Sequence, residues 1–319
     1  MKRFNRYLKC LIGSILSHIP YFKKIKKYGL TVFVYHEVSD KPSNFSLQYN
    51  LAVSNSTFAF QMDFIKKYFN VVHPNQIDIG KELPVSAALV TFDDGMLSSF
   101  QNGLRILKEK QIHSLFFLNM ESIEKGNPII SAEINYYNIQ SDELQKFCKE
   151  KKLSEPYYLT ITPSLRESFL KTITESVSLE DIIYYQGPFA SLENLRQWAD
   201  SDLVVFSNHL YQHWNSQALT NEEFTEQFEK NKKSLRRFNN SYNYFSFPNG
   251  QPVTCFTDRH INILKNNSVR KAFFSSGGIN LNHENFLLDR ISLTDDDNCE
   301  SIIWYRIYQK ELRKCLNLK

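Results

Sequence analysis

Seven apolar, β-rich runs recur along the chain, and this recurrence most restricts what the chain can fold into. The runs cover residues 30–38, 87–94, 113–119, 203–208, 242–248, 271–276 and 286–292. Helix-like stretches lie between several of them, such as residues 220–238, which open with Thr220 and Glu223 at capping-box spacing. This alternation predicts a parallel α/β architecture, either an open sheet or a barrel. In both, functional residues gather at the C-terminal ends of strands.

The length and composition fit a folded α/β protein. The 319 residues suffice for one large domain or two small ones, and 42% hydrophobic with 23% charged residues is typical of soluble globular proteins. Residues of about 131–188 interrupt the alternation, because they are polar and helix-like and show no clear strand. We therefore expect a helical insertion on one large domain that spans residues 30–319.

Two adjacent carboxylates follow the second of these runs. In "AALVTFDDG" (87–95) the strand-like residues end at Asp93, Asp94 and Gly95, none of which favours a strand. Neighbouring like charges repel, and a metal ion would compensate them. The alternative is that Asp94 and Gly95 form only a turn and a helix cap.

Two histidines follow another run, in "VVFSNHLYQHWN" (204–215). If a helix begins here, His209 and His213 lie on one face at i and i+4 and could reach one ion. Two neutral imidazoles and one carboxylate form a three-ligand site with open positions, which is typical of a catalytic metal. The second carboxylate would then be free to accept a proton from water.

These motifs resemble the NodB-homology polysaccharide deacetylases, carbohydrate esterase family 4. The likeness rests on "TFDDG" (91–95) and "HLYQH" (209–213), together with "VFVYHEV", "FSFPNG" and "LLDRISL" in the family's order. It covers roughly residues 30–295 except the insertion, and its layout is most similar to the poly-N-acetylglucosamine deacetylase branch.

The resemblance implies a deformed (β/α) barrel of about seven parallel strands. It further implies metal-dependent removal of N-acetyl groups from N-acetylhexosamine units of a bacterial surface polysaccharide or its precursor. Asp93 would be the general base, and Asp94, His209 and His213 would hold one divalent ion, commonly zinc. The loop with Pro248 and Asn249 would line the groove, and the Asn249 backbone N–H would stabilise the oxyanion.

The chain departs from the family pattern at several positions. Leu210 replaces a Ser or Thr, and Ser246 stands where an arginine usually orients the base. Arg290 could take over that role, or it could be a surface residue paired with Asp289. These departures also leave open a catalytically weak glycan-binding relative, or a hydrolase of small non-peptide amides.

The catalytic acid and the sugar contacts are less well specified. No histidine follows Arg290, but His36 of "YHEV" matches the acid of the poly-N-acetylglucosamine branch. A histidine titrates near neutrality, which suits protonation of a leaving amine. The alternative is a buried structural histidine beside Tyr35. Trp214 could form a sugar-stacking wall or belong to the core.

The N-terminal residues 1–29 form a basic arm with a helical apolar stripe. Residues 1–36 hold eight of the 38 basic residues and no acid, so the remainder is mildly acidic and unsuited to nucleic acid. Residues 1–28 could contact a membrane surface peripherally or dock on their own domain, with a cleaved signal peptide a weaker alternative. The five scattered cysteines argue against a zinc ribbon and only weakly favour a reducing compartment. We expect a cytoplasmic location, or a peripheral one at the inner membrane face, rather than secretion.

Overall fold

The computed structural model describes residues 2–78, 80–174 and 177–317. Residue 1 of the predicted arm, residues 175–176 of the predicted insertion, and residues 79, 318 and 319 of the predicted large domain lie outside them. The strands are β1 Thr31–Tyr35, β2 Glu37–Val38, β3 Ala52–Val53, β4 Asn70–Val71, β5 Ala87–Phe92, β6 Ser114–Leu118, β7 Val204–Asn208, β8 Ser241–Ser246, β9 Lys271–Phe274, β10 Leu287–Asp289 and β11 Ile291–Ser292.

The α-helices surround the sheet and precede or follow its strands along the chain. They are α1 Lys2–Leu16, α2 Pro20–Tyr28, α3 Asn44–Tyr49, α4 Asn55–Tyr68, α5 Leu104–Lys110, α6 Met120–Lys125, α7 Ile130–Gln140, α8 Glu143–Glu150, α9 Tyr157–Thr160, α10 Pro163–Thr172, α11 Leu179–Gln186, α12 Leu192–Arg196, α13 Asn221–Leu235, α14 Asp258–Asn266 and α15 Glu300–Cys315. Ser99–Gly103 form a π-helical turn before α5, and Pro74–Ile77 and Ser216–Ala218 are short 3₁₀ helices.

The main sheet forms a nearly closed parallel barrel. Its strand order is β10-β9-β8-β7-β6-β5-β1-β11, and β4 pairs with the start of β5. One residue, Arg290, separates β10 from β11, so residues 287–292 pair with β9 on one side and with β1 on the other. Counting that stretch once gives seven strand positions, which confirms the predicted deformed (β/α) barrel.

The strands are buried on both faces, as expected for a parallel sheet covered by helices. One face fills the barrel interior with Val32, Leu89, Leu115, Phe117, Val205, Tyr244, Phe273 and Leu288. The alternate residues, including Phe33, Val90, Phe116 and Phe206, pack outward against the helices. This period of two fixes which side chains can reach the barrel mouth.

The region predicted as a helical insertion contains α8 to α11 and nearly all of α7, and the described residues of 131–188 include no strand. A second hydrophobic cluster joins this region to the barrel; Ile134, Phe147 and Phe169 belong to it, as do Phe224 and Phe245. The boundaries proposed for the arm and the insertion remain predictions.

The arm docks on the domain through its two helices. α1 packs along α15, and Leu16, together with Phe22 and Ile25 of α2, is buried in the main core. Within the described part of the chain, no helix has the length and apolarity required to cross a bilayer.

A candidate metal and catalytic site at the barrel mouth

Five residues, four of them beyond the C-terminal ends of strands and Ser246 at the end of β8, extend the inward-facing series of the strands. Asp93 follows Leu89 and Thr91 at steps of two, and Arg290 follows Leu288 in the same way. His36, His209 and Ser246 continue β1, β7 and β8 with the same parity. Parallel strands bring all these ends to one edge, so the side chains converge at one mouth of the barrel.

Asp94, His209 and His213 form a compact, buried group. Oδ1 of Asp94 lies 3.5 Å from Nε2 of His209 and 3.3 Å from Nε2 of His213. The three residues are 3%, 1% and 6% exposed. Their ligand atoms lie within 4.8 Å of one another, so a single ion could contact all three.

Hydrogen bonds on the far side of the imidazoles orient their free nitrogens toward this group. Nδ1 of His209 lies 2.8 Å from the Ser246 carbonyl oxygen, which can only accept, so Nδ1 carries the hydrogen. Nε2 of His209 therefore presents a lone pair to Asp94. Oδ1 of Asp94 has no hydrogen-bond donor among the described residues. Two buried acceptors that face each other at 3.5 Å need a proton or a metal ion between them, and the three converging ligand atoms fit a divalent metal.

The two histidines converge through a loop rather than through the predicted helix. Residues 209–215 are irregular, and Leu210 and His213 have φ values of 60° and 61°. The helix prediction was wrong because such left-handed residues break the helical repeat. The side-chain amide of Asn119 donates to the carbonyl oxygens of His209 and Leu210 at 2.5 and 2.9 Å and holds the loop. Oδ1 of Asn208 accepts the Leu210 backbone N–H at 2.9 Å.

Asp93 is held by a two-pronged ion pair with Arg290. The guanidinium nitrogens lie 2.7 Å from both carboxylate oxygens, and one of them also donates to Ser246 Oγ at 2.8 Å. Burial alone would raise the pKa of Asp93, but the Arg290 charge holds this pKa below its usual value. Arg290 is not a surface partner of Asp289, since Asp289 pairs with Lys310 at 2.6 Å. The pKa of Asp94 is also lowered; burial opposes this shift, and the neighbouring imidazoles cause it.

His36 and Asn249 reach the same cavity. His36 is half-buried and lines it, while the Tyr35 ring points the other way and packs on Phe58 and Phe92. Asn249 has a φ of 61°, and none of the described residues accepts its backbone N–H. Its side-chain Nδ2 is buried without a partner.

Two residues predicted at the groove, Trp214 and Pro248, do not line the cavity themselves. Trp214 is 4% exposed in the second hydrophobic cluster and donates to Gln212 Oε1 at 3.1 Å. Neither Trp214 nor Pro248 is among the residues that line the cavity. The position of Trp214 is that of a core residue, which the sequence had left as the alternative.

The cavity above the site is about 260 Å³, and helices of the inserted region and α3 form one wall. That wall includes Phe45 and Tyr49 of α3, Ser131 and Asn135 of α7, and Tyr158 of α9. The Tyr49 and Tyr158 rings meet edge to face at 6.0 Å. Ser131 Oγ lies 3.1 Å from Nδ1 of His213. The sequence offered no signal for these residues, because none belongs to a motif that carries chemistry.

The polysaccharide deacetylase family model matches residues 80–254, more than half of the chain. The chain belongs to this family. The curated proteins include no match. Given the family and this site, the protein is a deacetylase, and the expected relationship to the NodB-homology enzymes is confirmed.

Solved deacetylase structures share the fold. The Streptococcus pyogenes deacetylase PplD in complex with acetate is 13% identical, with a TM-score of 0.60 over 88% of this chain and 99% of its own. IcaB from Ammonifex degensii is 20% identical, with a TM-score of 0.56 over 87% and 97%. A de-N-acetylase from Aggregatibacter actinomycetemcomitans is 17% identical, with a TM-score of 0.57 over 87% and 99%.

This deacetylase carries a second His-His-Asp group at the opposite end of its barrel. His73 follows β4, while His113 and Asp202 precede β6 and β7. Nε2 of His73 lies 3.5 Å from Asp202 Oδ1, and Nδ1 of His113 lies 3.0 Å from the Asp202 carbonyl oxygen. Nδ1 of His73 accepts the Asn75 backbone N–H at 3.2 Å.

Proposed function

We propose that the protein is a metal-dependent N-deacetylase of N-acetylhexosamine units in a bacterial surface polysaccharide or its precursor. One observation carries this proposal: a buried set of three facing ligand atoms adjoins a carboxylate that an arginine keeps ionised. A glycan-binding module would need neither feature. The family and the de-N-acetylase among the similar structures support this reaction class.

Asp94, His209 and His213 would hold the ion. A carboxylate oxygen and two imidazole nitrogens suit zinc, and three protein ligands leave a position open for water or substrate. When bound, such an ion supplies Lewis acidity and lowers the pKa of water toward neutrality.

Asp93 accepts the proton of the attacking water. Arg290 engages both oxygens of this carboxylate, which fixes its orientation and keeps it unprotonated before the reaction. Water adds its oxygen to the acetamide carbonyl carbon, and the bond from that carbon to nitrogen breaks. Acetate and a free amine leave, and His36 donates a proton to the departing nitrogen.

Hydrogen-bond donors around the cavity match an oxygen-rich substrate. The backbone N–H of Asn249 stabilises the oxyanion that forms at the carbonyl. The side-chain amide of Asn249 is also buried without an acceptor among the described residues, and Asn249 lines the cavity. Sugar oxygens would satisfy these donors, and the Tyr49 and Tyr158 rings offer apolar faces for a pyranose.

The test is acetate release from N-acetylglucosamine oligomers by the metal-loaded protein. We expect turnover by the wild type and a loss of about 10²- to 10⁴-fold in Asp93→Asn, because the general base is removed. Asp202→Asn at the opposite end of the barrel is the matched control and should keep the wild-type rate. Hydrolysis of small amides without hydrolysis of sugars would reject the substrate class. Oligomer binding without acetate release would reject the reaction.

A further inference from the structure

The first helix of the protein is docked by its less apolar side. Gly13 lies at the contact with α15, where a Cβ would be 1.8 Å from the Ser301 carbonyl oxygen. Arg6 donates to the Asp296 carbonyl oxygen at 3.0 Å, and Cys10 Sγ lies 3.7 Å from Cys299 Sγ. Residues 6, 10 and 13 follow helical spacing, so they mark one side of α1.

The opposite side of α1 is a continuous apolar stripe that faces solvent. We call it the N-terminal apolar face; its members Phe4, Tyr7, Leu8, Leu11 and Ile15 are 69%, 69%, 43%, 48% and 53% exposed. At 100° per residue these five positions fall within about 100° of arc, away from residues 6, 10 and 13. A surface helix normally buries such a stripe in its own domain. Here the stripe is available for a partner.

The surrounding charge indicates the chemistry of that partner. Residues 1–36 contain eight basic residues and no acid. On α2, Lys23, Lys24 and Lys27 are exposed, as are the rings of Tyr21 and Tyr28. An apolar stripe on one helix, followed by a helix with exposed lysines and tyrosines, is typical of segments that lie in the interface of an anionic bilayer.

We propose that α1 and α2 bind the surface of an anionic lipid bilayer, with the N-terminal apolar face inserted at the level of the headgroups. A second copy of the chain fits less well, because face-to-face pairing would bring the like charges of two basic arms together. The docking of α1 on α15 attaches this lipid-binding surface of the protein to the catalytic domain. This proposal does not depend on the deacetylase activity.

The experiment is co-sedimentation of the full-length protein with vesicles of phosphatidylcholine alone or with about one-third phosphatidylserine. We expect binding to the mixed vesicles that weakens as salt is added, since salt screens the lysine contribution. Leu8→Ser combined with Leu11→Ser should weaken binding by on the order of tenfold or more, because two inserted side chains are lost. Leu179→Ser combined with Leu281→Ser removes two exposed leucines elsewhere and should bind as the wild type does.

Lys23→Gln with Lys24→Gln should lower affinity by about fivefold per lysine. Three outcomes would overturn the proposal: no binding to mixed vesicles, equal binding by the Leu8/Leu11 variant, or a dimer that this variant dissociates. Detection in native cells of a mature chain that lacks α1 would also overturn it. Unchanged circular dichroism and melting temperature of each variant exclude unfolding as the cause.

Discussion

The two His-His-Asp groups of the barrel contain the same residue types but opposite proton arrangements. In the buried group, Nδ1 of His209 donates to a carbonyl oxygen, so its Nε2 directs a lone pair at Asp94. In the second group, Nδ1 of His73 accepts a backbone N–H, so its Nε2 carries the hydrogen toward Asp202. Nδ1 of His113 likewise donates to the Asp202 carbonyl oxygen.

This difference shows that composition and proximity do not define a metal site. Both groups bring their ligand atoms within 4.8 Å, yet only the buried one leaves acceptors facing each other. In the second group, the histidine nitrogens that face Asp202 carry hydrogens, and Asp202 is 86% exposed to water. What a histidine can bind is decided by the partner of its other nitrogen.

The largest expected effect is on metal content. The wild type should hold about one zinc-like ion, and His213→Ala should lose it, because two ligands no longer enclose the ion. Asp202→Ala should retain it. Elemental analysis after desalting measures both. Two ions in the wild type, one of them lost in Asp202→Ala, would abolish the distinction between the groups.

The next effect is on stability, at the buried ion pair beside the metal group. Arg290→Met leaves the Asp93 carboxylate buried and unpaired, which should lower the free energy of unfolding by about 3–5 kcal/mol. Arg196→Met breaks an exposed pair with Glu193 and should cost at most about 1 kcal/mol. Urea unfolding of the two variants compares them. Equal losses would show that Arg290 contributes no more than a surface arginine.

A smaller effect is expected from the hydroxyl behind His213. Ser131→Ala removes the group 3.1 Å from Nδ1 of His213 and should weaken metal affinity by about 10- to 100-fold. Ser164→Ala, at an exposed position of the same region, is the control. Competition with a chelating dye measures both affinities. An unchanged affinity in Ser131→Ala would mean that the loop alone orients His213.

The smallest effect should come from the exposed group itself. Asp202→Ala should change the free energy of unfolding by less than about 1 kcal/mol, because an exposed carboxylate gains little from neighbouring imidazoles. Thermal or urea unfolding, with and without added zinc, checks this. If zinc stabilised the wild type but not Asp202→Ala, the second group would have to be counted as a binding site.

The sequence revealed the barrel and the strand-end residues for the same physical reason. Apolar runs such as residues 87–92 mark buried parallel strands, and Asp93, Asp94 and His209 follow their ends directly. Arg290 could be suggested only from the family pattern, although its parity with Leu288 already placed it inside the barrel mouth. The same alternation of inward-facing and outward-facing residues along β8 would have identified Ser246.

Other parts of the site depend on tertiary structure that no local pattern encodes. His213 reaches Asp94 and His209 through a loop with left-handed residues. The i, i+4 spacing of the two histidines had suggested a helix instead. Ser131 and Asn135 approach from α7, which arrives through packing of the second hydrophobic cluster. The docking of α1 with its apolar stripe toward solvent could not be inferred either. The sequence shows the stripe but not which side of α1 packs on the domain.

The junction between β10 and β11 has a consequence for biosynthesis. The ribosome makes β1 long before Ile291, which covers the free edge of β1 by pairing with Phe33. Arg290, the partner of Asp93, emerges at the same moment. Until Arg290 and Ile291 have been made, the nascent chain therefore carries an open strand edge and an Asp93 carboxylate without its arginine, and this is the period when chaperone protection matters most.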